Sequence, residues 1–169
     1  LQDAQGGVAV VDTRAMRVTA HYAFGDAGGC NGLSLDVAHG VLFAACARSG
    51  NPPADPPMPV MKVLAAADGR ILATLPLAGG SDGVAFNPRT MEAFSTHGNG
   101  TLTVVKETSP TDFVVEQNLD TKNGARTITF DSKTGHILTM ADDREAPVPG
   151  GRGRPPAVPN TFTLLVIGR

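Results

Sequence analysis

Asp82-Gly83-Val84-Ala85-Phe86-Asn87 is the stretch on which the fold turns, because the chain repeats it. Asn31-Gly32-Leu33-Ser34-Leu35-Asp36 lies upstream and Arg126-Thr127-Ile128-Thr129-Phe130-Asp131 downstream. Each copy alternates apolar with small or polar residues, the period of an extended strand that buries one face. Each ends in Asp or Asn, whose short side chain bonds its own backbone and favours a turn. These end residues, at 36, 87 and 131, are spaced by 51 and 44 residues. A second apolar stretch follows each turn, at 41–46 (VLFAAC), 92–96 (EAFST) and 136–140 (HILTM), so each pair reads as a hairpin.

A second hairpin recurs between the first ones. Residues 8–22 superpose on 61–75, matching Arg17-Val18 to Arg70-Ile71; 101–119 form a third copy with a slightly longer turn, and 161–166 begin a fourth. With the strands of one unit named a to d, the chain reads c, d, then abcd twice, then abc. Helical periodicity is absent throughout. Four-stranded antiparallel units at a period of roughly 40 to 50 residues are the signature of propeller blades. A β-sandwich offers short alternating strands too, but gives no reason for one hairpin pair to recur. The expected architecture is therefore an all-β β-propeller with about three blades in an incomplete ring: a remnant at 1–25, blades at 26–79 and 80–122, and a final incomplete blade at 123–169. The phase of the repeat predicts that the remaining blades come from an upstream segment or another chain.

Composition agrees with that reading. Twenty Gly and thirteen Pro among 169 residues punctuate the chain too often for a helical bundle. A net charge of -2 gives no electrostatic footprint for nucleic acid. No apolar run approaches the roughly 18 to 20 residues of a membrane-spanning helix.

Four stretches carry a resemblance: Gly7-Val8-Ala9-Val10-Val11-Asp12-Thr13, Gly80-Ser81-Asp82-Gly83-Val84-Ala85-Phe86-Asn87-Pro88, Gly98-Asn99-Gly100-Thr101-Leu102-Thr103-Val104-Val105, and Gly124-Ala125-Arg126-Thr127. In series they resemble the bacterial YVTN-repeat, or YncE-like, seven-bladed β-propellers, and the chain looks like the C-terminal half of such a protein. The resemblance implies an exported protein, periplasmic or extracellular, with its signal peptide on an upstream part. It does not imply a reaction, since similar propellers serve as binding platforms, lactonase-type hydrolases and partners of redox enzymes.

In a blade the d-to-a and b-to-c connections share one face, around the mouth of the channel, and loops on a rigid scaffold are where binding groups usually sit. That face gathers Asn31, Arg48, Asp55, Asp82, His97, Asn99, Arg126, Asp142, Asp143, Arg144 and Glu145. Two classes of function follow. The first is a non-catalytic scaffold that binds a small ligand or protein partner through Asn31, Asp82, His97, Asn99, Arg126 and Asp143. The second is a lactonase-like or other hydrolase in which Asp82, His97, Arg126 and Asp142 converge. There a carboxylate with a His does acid–base work and Arg holds an anionic group. The plainer alternative makes Asp82 and Asp142 turn caps, His97 a loop ornament and Arg126 a carboxylate's partner.

No cofactor motif is present, and His21, His39, His97 and His136 form no close-spaced metal-ligand pair, so neither a metal nor a cofactor is expected. If the strand before the Asp36 turn pairs with 41–46, Cys30 comes opposite Cys46, within reach of a disulfide; two buried thiols are the alternative. The proline-rich insertions 51–59 and 146–159 should be extended and unpaired, as a lid, a partner contact or plain surface loops.

Overall fold

The computed structural model describes residues 6–50, 55–147, 150 and 153–168. They form thirteen strands and, among the described residues, no helix. Blade 1 is the hairpin β1 (Gly7–Asp12) and β2 (Arg17–Ala23). Blade 2 runs in order through β3 (Gly28–Asp36), β4 (Val41–Arg48), β5 (Val60–Ala65) and β6 (Ile71–Pro76). Blade 3 repeats this with β7 (Ser81–Asn87), β8 (Glu92–His97), β9 (Thr101–Ser109) and β10 (Asp112–Asp120). Blade 4 has β11 (Ile128–Phe130), β12 (Ile137–Ala141) and β13 (Thr163–Ile167). All pairings are antiparallel and the sheets close no ring, so the chain is a run of propeller blades, as the repeat period predicts.

The turns between the first two strands of blades 2, 3 and 4 are built alike. The backbone N–H groups of Ala38, Arg89 and Lys133 donate to side-chain oxygens of Asp36, Asn87 and Asp131 at 2.9, 3.0 and 2.9 Å. The side chain thus satisfies a donor that the ladder has released, which is why each repeat ends on Asp or Asn.

Side chains of the inner strand pairs sort by parity onto the two faces of a sheet, and the core lies in the seams between sheets. Along β4, Val41, Phe43 and Ala45 enter the seam with blade 3, whereas Ala44 and Cys46 enter the seam with blade 1. The blade 2–3 seam adds Met61, Val63, Ala93, Val105 and Phe113; there Phe43 stacks on Phe86 at 5.2 Å and meets Phe113 edge-on at 5.9 Å. Burying a side chain of this size stabilises by about 2–3 kcal/mol, and each ring pair adds about 1 kcal/mol. Phe94, Leu102, Val104 and Ile137 fill the blade 3–4 seam.

Two glycines set how closely the inner strands approach. A Cβ on Gly32 would lie 2.5 Å from Val84 Cγ2 and 2.8 Å from the Gly83 backbone, and one on Gly83 would lie 2.8 Å from Ile128 Cγ2. The glycine that the first two copies of the motif share is therefore a packing requirement where the inner strands meet.

Three expectations need correction. The 101–119 hairpin has no longer turn; its two strands each extend to nine residues around a tight connection from Ser109 to Asp112. His97 is no loop ornament but the last residue of β8 and fully buried. The second proline-rich insertion is paired at its base: Arg144 bridges Ala157, Glu145 N–H donates to Pro156 O at 3.0 Å, and Val158 N–H donates to Asp143 O at 2.9 Å. Proline keeps its carbonyl acceptor, and the residues between the prolines supply the donors. Residues 51–54, 148–149 and 151–152 of the two insertions lie outside the described residues.

Candidate functional site

The sequence-predicted set on the hub face is organised by a repeated irregularity. In β3 the register jumps from Cys30↔Cys46 to Gly32↔Ala45, and in β7 from Ser81↔His97 to Gly83↔Thr96. Asn31 and Asp82 are the extra residues of these equivalent bulges, and a bulge re-aims the side chain it carries. Arg126 occupies the matching position of the third copy, held where Thr96 Oγ1 donates to its carbonyl. The inner strands β3, β7 and β11 stand side by side, so these three residues adjoin around the hub. Asn31 Nδ2 donates to Ser81 O at 3.5 Å, and Arg126 Nε lies 3.5 Å from Asp82 Oδ2. Arg126 is half exposed and Asp82 about a third, so this pair contributes at most about 1 kcal/mol and opens readily.

His97 sits behind this row rather than in it. Its Nε2 lies 3.0 Å from Thr103 Oγ1, which in turn donates to Asn118 Oδ1 at 2.7 Å and accepts from Ala78 N–H at 3.2 Å. Burial pushes the imidazole down to about pH 4, with the Gly80 backbone and the Asp82 charge offsetting part of the shift. A neutral ring with its Nε2 committed to Thr103 props the b–c corner of blade 3. It has neither the exposure nor the proton affinity of a general base near neutral pH.

The other predicted residues are engaged locally. Asn99 Nδ2 donates to Ala78 O at 3.0 Å and its Oδ1 accepts from Thr101 at 2.8 Å. Asp142 receives both the Nε and NH2 groups of Arg144, at 2.8 and 2.7 Å, with Arg154 3.6 Å away. Lys122 pairs with Asp143. Asp142 is thus bound to its own insertion and does not join Asp82 and Arg126. Arg48 reaches over the Gly28–Gly29 backbone, while Asp55 and Glu145 are exposed. Cys30 and Cys46 form a disulfide, which the register of β3 and β4 makes possible by placing them opposite one another.

Sequence reasoning missed two charged groups. Lys62, buried in β5, donates to Asp26 Oδ1 at 2.7 Å and Thr74 Oγ1 at 3.1 Å; this bond holds the Asp26 carboxyl below the usual carboxylate range. On the opposite face, Asp36, His39 and Glu107 converge at the blade 2–3 seam. His39 Nδ1 lies 2.7 Å from Asp36 Oδ2 and 2.8 Å from Glu107 Oε1, with both carboxylates buried. Burial, then the Asp36 charge, raises the Glu107 carboxyl, and His39 offsets part of the rise. The only sequence signal was the Asp36-to-His39 turn, since Glu107 belongs to the next blade.

No family model matches the chain, and no curated protein matches it in sequence. Among solved structures it is similar to Kuenenia stuttgartiensis hydrazine synthase, with a TM-score of 0.64 and 14% identity over 80% of this chain. It is also similar to the complex of KlAtg21 with the coiled-coil of AgAtg16, with a TM-score of 0.55 and 18% identity over 79% of this chain. The chain spans 36% and 43% of those two chains. At these identities the likeness is one of fold alone, a propeller-like all-β architecture.

Proposed function

We propose that this chain is a segment of an exported, YVTN-type propeller that holds a small polar ligand or partner segment at its hub face without transforming it. The observation that carries the reading is the bulge shared by β3 and β7, which re-aims Asn31 and Asp82 where the inner strands meet, with Arg126 Nε 3.5 Å from Asp82 Oδ2. A weak, half-exposed Asp82–Arg126 pair is suited to exchange for an anionic group on a ligand. The buried, neutral His97 weighs against the hydrolase alternative, which needs an accessible acid–base group. The Cys30–Cys46 bond supports an oxidising compartment. Met140, Leu164 and Val166, exposed on the side of blade 4 turned from blade 3, support packing against a further blade.

A thermal-shift screen of small organic anions on the wild type and Arg126→Ala tests the binding function, with lactone and ester hydrolysis assayed in parallel. The expected result is stabilisation by anions that Arg126→Ala abolishes, with no turnover. Hydrolysis that disappears in His97→Gln or Arg126→Ala, with folding intact, would overturn it.

A further inference from the structure

The hub face leaves the Asp36, His39 and Glu107 cluster unused, and its balance of donors is unusual. Asp36 is the turn residue of blade 2: its Oδ1 accepts from Ala38 N–H at 2.9 Å, while its Oδ2 points into the seam. Glu107 comes from β9 of blade 3, and its side chain is wholly enclosed. Both Glu107 oxygens and Asp36 Oδ2 are sequestered from water and, among the described residues, find no hydrogen-bond donor beyond the single Nδ1 of His39. One imidazole nitrogen, carrying at most one proton, faces two buried carboxylates. An unpaired buried charge costs several kcal/mol, and such sites are relieved by a proton or by a cation.

We propose that Asp36, His39 and Glu107 form a binding site for a divalent first-row metal ion, Zn²⁺ foremost, that pins blade 2 to blade 3. One nitrogen and two carboxylate ligands are the mixed donor set that Zn²⁺ accepts, and a hard cation such as Ca²⁺ does not favour imidazole. The three ligand atoms lie within 4.8 Å of one another. Tetrahedral coordination at about 2.0–2.2 Å separates its ligands by roughly 3.3–3.6 Å, so the His39 nitrogen, now 2.7 and 2.8 Å from the two carboxylates, would swing slightly outward to admit an ion. His39 is 38% exposed at the seam's rim and has that freedom. The same exposure gives the ion an entry path and leaves the fourth position to water. Because the ligands come from two blades, the ion acts across a seam filled mainly by apolar side chains, which couples metal uptake to stability.

The test uses the tag-free full chain, stripped with a chelator and titrated with Zn²⁺, Mn²⁺ and Ca²⁺ by calorimetry, with metal content measured after dialysis. One Zn²⁺ per chain is expected, and at a hundredfold excess over Kd the unfolding midpoint should rise by roughly 5–10 °C. His39→Gln, which keeps a side-chain donor at the rim of the seam, should weaken uptake by at least about tenfold and abolish the midpoint rise. Glu107→Gln should do the same while raising the midpoint of the metal-free protein, because it removes one of two facing buried charges. The assignment fails if the wild type takes up neither Zn²⁺ nor Mn²⁺ stoichiometrically at 100 μM, or takes only Ca²⁺. It fails equally if both variants retain wild-type uptake.

Discussion

Acidification should unlock blade 3 through His97, and the size of the effect follows from its burial. The folded chain holds this imidazole near pH 4, whereas the unfolded chain releases it to its ordinary 6.5. As pH falls below 6.5 the unfolded state takes up a proton that the folded state refuses. The stabilisation is therefore complete above 6.5 and is lost progressively down to about 4. Between pH 8 and pH 5 the loss amounts to about 2 kcal/mol, or roughly 4–8 °C in the unfolding midpoint of a chain this size. Glu107 acts in the opposite sense. Its raised carboxyl binds a proton in the folded state before the unfolded one does, so it favours folding as pH drops. The wild-type slope alone is thus ambiguous, and the informative quantity is the difference between wild type and His97→Gln. Urea denaturation of both proteins at pH 8 and pH 5 should show the variant losing about 2 kcal/mol less on acidification. Equal losses would mean that His97 is protonated in the fold, and the picture of a neutral prop behind the hub would be wrong.

Gly32→Ala should cost about 1–3 kcal/mol, because its methyl group meets backbone as well as Val84, while Gly80→Ala, whose nearest neighbour would be 3.8 Å away, should stay within about 0.5 kcal/mol; chemical denaturation compares them. Phe43→Ala should cost about 3–5 kcal/mol by emptying the blade 2–3 seam, read from the same curves. Replacing Cys30 and Cys46 together by Ser should lower stability by about 2–4 kcal/mol under non-reducing conditions, and mass spectrometry of the wild type should find no free thiol.

Much of the scaffold was legible in the sequence because propeller blades announce themselves through spacing. Asp36, Asn87 and Asp131 mark equivalent turns, and the alternation between them assigns strands and faces without reference to distant contacts. The partnership of Cys30 with Cys46 was legible for the same reason, since it depends only on register across one hairpin. Burial of His97 was not legible: β8 is an interior strand of an interior blade, buried on both faces from Glu92 to His97, so polarity no longer alternates along it. The bulges at Asn31 and Asp82 leave no compositional mark beyond the glycine that follows each. Glu107 escaped because its meaning depends on the neighbouring blade, and a repeat read one unit at a time does not reveal what two units build between them.

The glycines at the centre also determine curvature. Successive sheets diverge from the axis like the staves of a fan, and the angle between them depends on how near their innermost edges come relative to their outer ones. Thickening each inner edge by a methyl group would flatten that angle, enlarge the circumference and demand more staves to complete a circle. Gly32 and Gly83 thus bear on how many blades an array of this curvature would hold.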